Sequence, residues 1–511
     1  MAAPPASAPP AHTPRRSATG HGRQKSLRIL RDAPAPLLGA LAICLLLGLL
    51  RIGALFLHEP AIALANSYDE VRYSACFDLY PARPANVPPS RNSPEAPYAR
   101  FSFATGAAPI CYWSTELLFQ GAAAAVFRVQ QARGVETFSV RWIGAFKIAA
   151  LLLLWVGFSI AWLRRREPWS AFANALLLPL LFADPANTIY LNTFYAEWTA
   201  LLALYAVVAL TLIHEGKPAR HHAFGLLVAA AALALSKIQH IVLPLGIALA
   251  MLLIGRWRDR VWLWKGKALL IGALAGIVVQ VVQLQRESDA IKAINVFNQA
   301  DVVFTALLPN ARDPAATANR LGLEPQCLQY SGLRAWQMPG FPADLCPGLT
   351  RVTRGRELLT LLREPDLALR LGWRGLQSLD PWLAPGLGLV EGGEFAPLPA
   401  QFFTLSRPLS DYPVLRVILF GAPFLALPLL LWRQRWRRWP RLLTGTMFTV
   451  VITLGTLTVT VLGDGLADVP KQGHLVYNMA LAWFIGAAVF ITQRLLAMRG
   501  ETAAATAVST K

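Results

Sequence analysis

Residues 35–57 read APLLGALAICLLLGLLRIGALFL. A helix crosses about 30 Å of hydrocarbon with roughly 20 mostly apolar residues, so this run is long enough to span a bilayer. It is too long, and begins too far from the N-terminus, to be the core of a cleaved signal peptide, and it is expected to stay in place as a first span. Residues 1–34 before it are rich in Ala, Pro, Arg and Ser. Such a segment cannot bury enough apolar surface to fold, so a disordered basic cytoplasmic tail is expected there.

Blocks of the same kind recur as far as residue 496, in a chain of 511 residues that is 55% hydrophobic and 15% charged. That composition makes lipid the main solvent, and a soluble core would not need such blocks. After the first span, the expected spans are about 143–163, 169–186, 197–214, 222–236, 240–255, 265–284, 413–432, 442–463 and 476–496. The fifth and sixth are separated by a break at Ser236–His240, where a re-entrant or broken helix competes with two full crossings. The fold class expected is therefore all-α and polytopic, with about ten transmembrane helices.

The net charge of +19 raises the question of a nucleic-acid partner. Membrane orientation accounts for it better, because short loops retained in the cytoplasm collect Lys and Arg. With the N-terminus inside, the connections that must be cytoplasmic carry Arg164, Arg165 and Arg166; Lys217 and Arg220; Arg256, Arg258 and Arg260; Arg433, Arg435, Arg437, Arg438 and Arg441; and Arg494 and Arg499. One span more or fewer would place some of these clusters outside. Both termini are thus expected in the cytoplasm, with 497–511 as a C-terminal tail and no nucleic acid as partner. The Ala, Arg and Leu bias suggests a bacterial inner membrane, with membrane lipid as the constant partner.

The same topology divides the chain into a membrane module at 35–284, which includes an outer loop at 58–142, a second outer loop at 285–412, and the last spans at 413–496. Cys76 and Cys111 share the first loop, and Cys327 and Cys346 share the second. A non-cytoplasmic compartment permits disulfides, so one per loop is expected. Cys44 falls within the first span as a packing residue. Apolar helical patterns at Ser114–Val129 and at Glu357–Leu379, the second broken at Pro365 with Trp373 inside it and Trp382 beyond, suggest helices on or near the membrane surface. No repeat period is visible.

Four polar stretches lie on the outer side at or near span ends. The first, Asn66–Tyr73, holds the adjacent acids Asp69 and Glu70 with Arg72. A carboxylate there suits a general base that takes a proton from an acceptor hydroxyl, or a ligand for a divalent cation such as magnesium or manganese. The second, Asp184–Trp198, holds Asn192, Tyr195 and Glu197; an acid at a helix N-terminus is also favoured by the dipole alone. Ser236–His240 places Lys237, Gln239 and His240 at the interface, where polar groups are costly and a lysine can neutralise phosphate or merely snorkel. The last, Gly463–His474, holds Asp464, Asp468, Lys471 and His474. Histidine spacing for zinc is absent. Each stretch alone fits a solvated connection, and their location on one side makes the case for a shared groove.

With these residues the chain resembles the GT-C superfamily of integral membrane glycosyltransferases, whose members carry an acidic motif in the first outer loop. Asp69 and Glu70 are reminiscent of the acidic pair of protein O-mannosyltransferases, and Tyr190–Glu197 and Asp464–His474 are similar to stretches of bacterial GT-C-like proteins of glycan biosynthesis. The resemblance implies an inverting transfer from a polyprenyl-linked sugar donor to a glycan or lipid acceptor. Asp69 or Glu70 would be base or metal ligand, and Lys237, Lys471 and Arg72 would hold the donor phosphate. The chain departs from oligosaccharyltransferases in lacking a W-W-D-type motif and a large soluble C-terminal domain, which disfavours protein N-glycosylation. Two alternatives stay open. One is a transporter or flippase for a lipid-linked glycan, which should show charges deep in its spans. The other is an O-antigen-type polymerase or ligase, given Arg351, Arg354, Arg356, Arg363, Arg370 and Arg374 in the second loop.

Overall fold

The computed structural model describes residues 34–509 apart from 63, 66, 84–97, 105–110, 214–218, 258–259, 287–288, 339–345, 380–404 and 433–438. The expected N-terminal tail, save Pro34, and Trp382 therefore lie outside the described residues.

The chain is mostly helical. Seven helices are long and apolar enough to cross a membrane, namely α1 (Ala35–Phe56), α4 (Arg141–Arg164), the run Ile238–Arg256, α9 (Arg260–Gln285), α14 (Pro413–Leu431), α15 (Pro440–Asp464) and α16, whose apolar part is His474–Arg499. Three shorter apolar helices accompany them: Pro168–Phe182, Glu197–Ile213 (α6) and Arg220–Ser236 (α7). The first of these is α5 (Pro168–Leu177), continued by the π-helical turn Leu178–Phe182. In the C-terminal tail expected at 497–511, α16 continues to Ser509, because nothing in its Ala-rich sequence stops a helix.

Around residues 236–242 the chain forms a helical hairpin. α7 ends at Ser236, a 3₁₀ turn covers Ile238–His240, and α8 (Val242–Trp257) follows. Both pack on α9 through small residues. A side chain at Gly272 would meet Leu227 and Ala230, and one at Gly276 would meet Ala231 and Ala234, so α7 runs parallel to α9. Gly266 abuts Leu252 while Gly255 abuts Leu263, so α8 runs antiparallel to it. Close approach over Gly and Ala is how helices gain dispersion contacts where lipid supplies no hydrophobic drive.

α15 uses a different device. Its buried Thr446, Thr449 and Thr453 return each hydroxyl to the carbonyl four residues earlier, at 2.7, 2.9 and 2.8 Å, whereas the hydroxyls of Thr456 and Thr460, also buried, have no hydrogen-bond partner among the described residues.

The expectation of a purely helical chain needs one correction. In the first loop, β1 (Leu79–Pro81), β2 (Arg100–Phe103) and β3 (Phe138–Ser139) form an antiparallel sheet in that order. It packs Phe101 and Phe138 against Phe127 of α3 (Leu117–Gln131), beside α2 (Ser67–Ser74). In the second loop, α10 (Asp289–Asp301), α11 (Pro314–Leu321), α12 (Arg354–Arg363) and α13 (Pro365–Gln377) enclose a separate small core around Phe304, Leu321, Leu349, Leu367 and Leu371. Both expected disulfides are present, Cys76–Cys111 and Cys327–Cys346, and Cys44 is buried in α1 as a free thiol.

Candidate functional site

The site is built where the N-terminus of α6, the α7–α8 turn and the α15–α16 connection meet. Glu197 opens α6, and its Oε1 lies 2.5 Å from Lys237 Nζ, the residue that breaks α7 with an extended backbone (φ −157°, ψ 151°). Lys237 Nζ also donates to Gln472 Oε1 at 3.3 Å, and Gln472 Nε2 donates to Asp464 Oδ2 at 3.3 Å. His474 places its Nε2 2.9 Å from the Glu197 carbonyl oxygen, and Ser236 Oγ lies 2.8 Å from His240 Nδ1. Lys471 pairs with Asp468 at 3.0 Å and stands 4.6 Å from the centroid of the Tyr195 ring. Lys237, Lys471 and His474 all act electrostatically on Glu197.

Glu197, Lys237, His240, Asp464, Lys471, Gln472 and His474 are all buried. Desolvated charges are tolerated only when paired, and most atoms here are. The exceptions are Glu197 Oε2 and His474 Nδ1, which have no hydrogen-bond partner among the described residues.

The other expected site residues fall around this centre. Glu70 is buried, and its Oε1 accepts the Phe194 backbone N–H at 2.8 Å, which ties α2 to the back of the 190–195 loop. Asp69 lies on α2 with its side chain outside the described residues. Arg72 closes α2 beside Tyr73, and the field of Glu197 and Lys471 reaches the Tyr73 phenol, whose pKa burial pushes well above its ordinary value. Asn192 turns away from the ion pairs and donates to the Ile62 carbonyl at 3.4 Å. Gln239 sits in the turn, its Oε1 without a hydrogen-bond partner among the described residues. As to the expected divalent cation, no group of three or more His, Cys, Asp or Glu side chains that could hold a metal ion gathers among the described residues.

Three features escaped the sequence reading. Lys147, inside α4, is fully buried against Glu116 at 2.8 Å and donates to the carbonyls of Tyr190, Thr193 and Tyr195 at 3.1, 2.9 and 3.4 Å. It pins the loop that delivers Tyr195 and Glu197. Asn187 and Asn478 exchange amide hydrogen bonds at 2.6 and 2.8 Å, and Asn478 also donates to the His474 carbonyl at 2.8 Å. Asn478 in turn lines a cavity of about 410 Å³ between α5, α6, α15 and α16, walled by Leu181, Leu201 and Trp483 and ending near Arg441. A lone lysine in an otherwise apolar span was the visible signal for the first of these.

Residues 86–339, just under half of the chain, match the family described as YfdI N-terminal transmembrane domain. With its apolar helices, that match identifies the chain as an integral membrane protein. The matched part takes in Glu197, Lys237 and the Lys147 pin but stops before α15. No curated protein and no solved structure matches the chain.

Proposed function

We propose that this protein is a membrane glycosyltransferase that moves a sugar from a polyprenyl-linked donor to an envelope glycan or lipid acceptor. The observation that carries the reading is the buried Glu197 carboxylate, one oxygen on Lys237 and the other without a hydrogen-bond partner among the described residues, with Lys471 and His474 acting on it. A desolvated carboxylate with an open oxygen beside two lysines is suited to taking a proton next to a phosphate leaving group.

In this reading Lys237 and Lys471 turn toward the donor phosphate, and the acceptor hydroxyl faces Glu197 Oε2, with Asp69 and Glu70 on α2 as the neighbouring carboxylates. The acceptor oxygen bonds to the anomeric carbon while the bond from that carbon to the phosphate oxygen breaks. The polyprenyl phosphate leaves with the electron pair, and the hydroxyl proton passes to the carboxylate. A single displacement of this kind inverts the anomeric centre. The largely apolar cavity beside Asn478 has the size of a small-molecule site and suits part of a prenyl chain. The reading also takes the three shorter helices as completing ten spans in a bacterial inner membrane, with both termini cytoplasmic and both disulfide loops on the far side.

The flippase alternative draws on the charges buried in spans, Lys147 and Lys265. Both are held to backbone carbonyls, Lys265 to that of Thr211 at 2.7 Å, which suits pins better than a moving relay.

The test is mass spectrometry of envelope glycan and lipid-linked sugars in a deletion strain complemented at matched expression, with the purified protein assayed in detergent alongside. Glu197→Gln is expected to lower product by about 10²–10⁴-fold, the range for loss of a general base. Wild-type glycan from Glu197→Gln, Asp69→Asn and Glu70→Gln alike would end the transferase reading. Product formed in detergent, where there is no bilayer to cross, excludes a flippase; none from folded, monodisperse wild-type protein favours one.

A further inference from the structure

α12 wears its amphipathicity inside out. Glu357 and Thr360 face inward, while Leu358, Leu359 and Leu362 point outward, Leu362 at 70% exposure. α13 continues the pattern: Leu367 and Leu371 enter the small core, but Leu369 stays 77% exposed and Trp373 54%. Contiguous exposed apolar side chains of this size mark a surface that something covers.

Two contacts say what lies beside them. Gly375 faces Leu457 and Val461 of α15, within two turns of the end of a helix apolar enough to span. Arg416 of α14 donates to the Gln377 carbonyl at 3.4 Å, and the first turns of α14 expose Val414, Val417 and Ile418. The inward face of α13 thus rests on the outer end of α15, and its C-terminal end borders the exposed apolar side chains that open α14. Arg363 and Arg374 flank the outward face, exposed and without an acidic partner among the described residues, whereas Arg354 and Arg370 are held by Glu357 and Asp366.

We infer that α12 and α13 form an interfacial helix pair whose outward leucines and Trp373 sink into the bilayer beside α15 while Arg363 and Arg374 hold the phosphates of anionic lipids. Apolar side chains at the acyl boundary with arginines reaching back to headgroups is the arrangement by which surface helices bind lipid.

The test uses the full chain in nanodiscs of phosphatidylcholine with phosphatidylglycerol, with one cysteine introduced as Leu362→Cys, Leu369→Cys or, as an exposed control on α11, Ala315→Cys, and labelled with an environment-sensitive fluorophore. Native cysteines do not compete, four being in disulfides and Cys44 buried. Positions 362 and 369 should emit to the blue of 315 and be quenched by acyl-chain nitroxide lipids but not by aqueous iodide. Water-like emission with iodide quenching at both would overturn the proposal. So would blue emission that ignores nitroxide lipids and weakens on dilution in detergent, since a second copy would then be the cover. For the arginines, phosphatidylglycerol added to detergent-solubilised protein should raise the melting temperature of wild type more than that of Arg363→Gln/Arg374→Gln. Equal shifts would remove the headgroup part.

Discussion

Two buried lysine–glutamate pairs lie on the two sides of the 190–197 segment. Lys147 and Glu116 are fully enclosed, and both carboxylate oxygens have a contact: the lysine has Glu116 and three carbonyls, Glu116 Oε2 accepts the Thr199 hydroxyl, and Glu116 Oε1, which makes no hydrogen bond, has the ion pair alone. Lys237 and Glu197 make an ion pair of similar length, but among the described residues the lysine has Gln472 alone besides, and one glutamate oxygen has no hydrogen-bond partner. The same two residue types therefore make a fixed pin in one place and, in the other, a centre whose contacts can be exchanged. What separates them is not burial but saturation. A saturated pair has no valence left for a ligand, whereas an unsaturated one holds desolvated charge that a substrate can satisfy.

Removing one lysine at a time breaks or sharpens this contrast. Lys147→Met leaves Glu116 buried without its counter-ion and three carbonyls without their donor. The expected loss is about 3–5 kcal/mol, the range for breaking a buried pair, read as collapse of monodisperse yield and of thermal stability in detergent. Adding Glu116→Leu should recover part of it. A Lys147→Met protein as stable as wild type would mean the pin holds nothing.

Lys237→Met is expected to cost less, about 1–3 kcal/mol for an acceptor left unsatisfied, because Lys471 and His474 still act on Glu197. Its larger effect should fall on glycan product. Equal destabilisation by the two substitutions, with product retained in Lys237→Met, would erase the distinction.

The apolar runs were legible because a membrane imposes length and composition directly. α1, α6 and α14 lie within a residue of expectation, and α4, α9 and α15 within a few. The polar stretches at 197, 237 and 464–474 were legible for the same reason, since charge beside an apolar run stands out. Their convergence on Glu197 was not legible, because it depends on which helices pack together, and no local pattern encodes that. Lys147 hid inside a span by being alone, and Glu116 hid in a loop where acids are ordinary. The sheet escaped because strands of 3, 4 and 2 residues are too short to show alternation, and β2 pairs across gaps in sequence. The inverted face of α12 could not be read either: periodicity shows that a helix has two faces, not which one turns to the protein.

A third buried acid extends the comparison, with an effect spread thinly over several pH units. Asp301 ends α10 with its Oδ1 accepting the Ala335 N–H at 2.7 Å, and it has no ion-pair partner among the described residues. Burial, and then the charges of Asp464 and Asp468, push its pKa from 3.8 up to about 8. The native state therefore keeps a proton between those values that the unfolded chain releases. The stabilisation is fully present below the unfolded value and is lost as pH rises through the folded one. One such proton gives a slope of about 1.4 kcal/mol per pH unit at most. Melting of the wild-type protein should fall as pH rises from about 4 to about 8, and Asp301→Asn, neutral throughout, should flatten that fall. An unchanged pH profile in Asp301→Asn would mean that this carboxyl is ionised in the native state. Acid burial without a lysine would then be tolerated here, and saturation by a lysine would not be what distinguishes the two pairs.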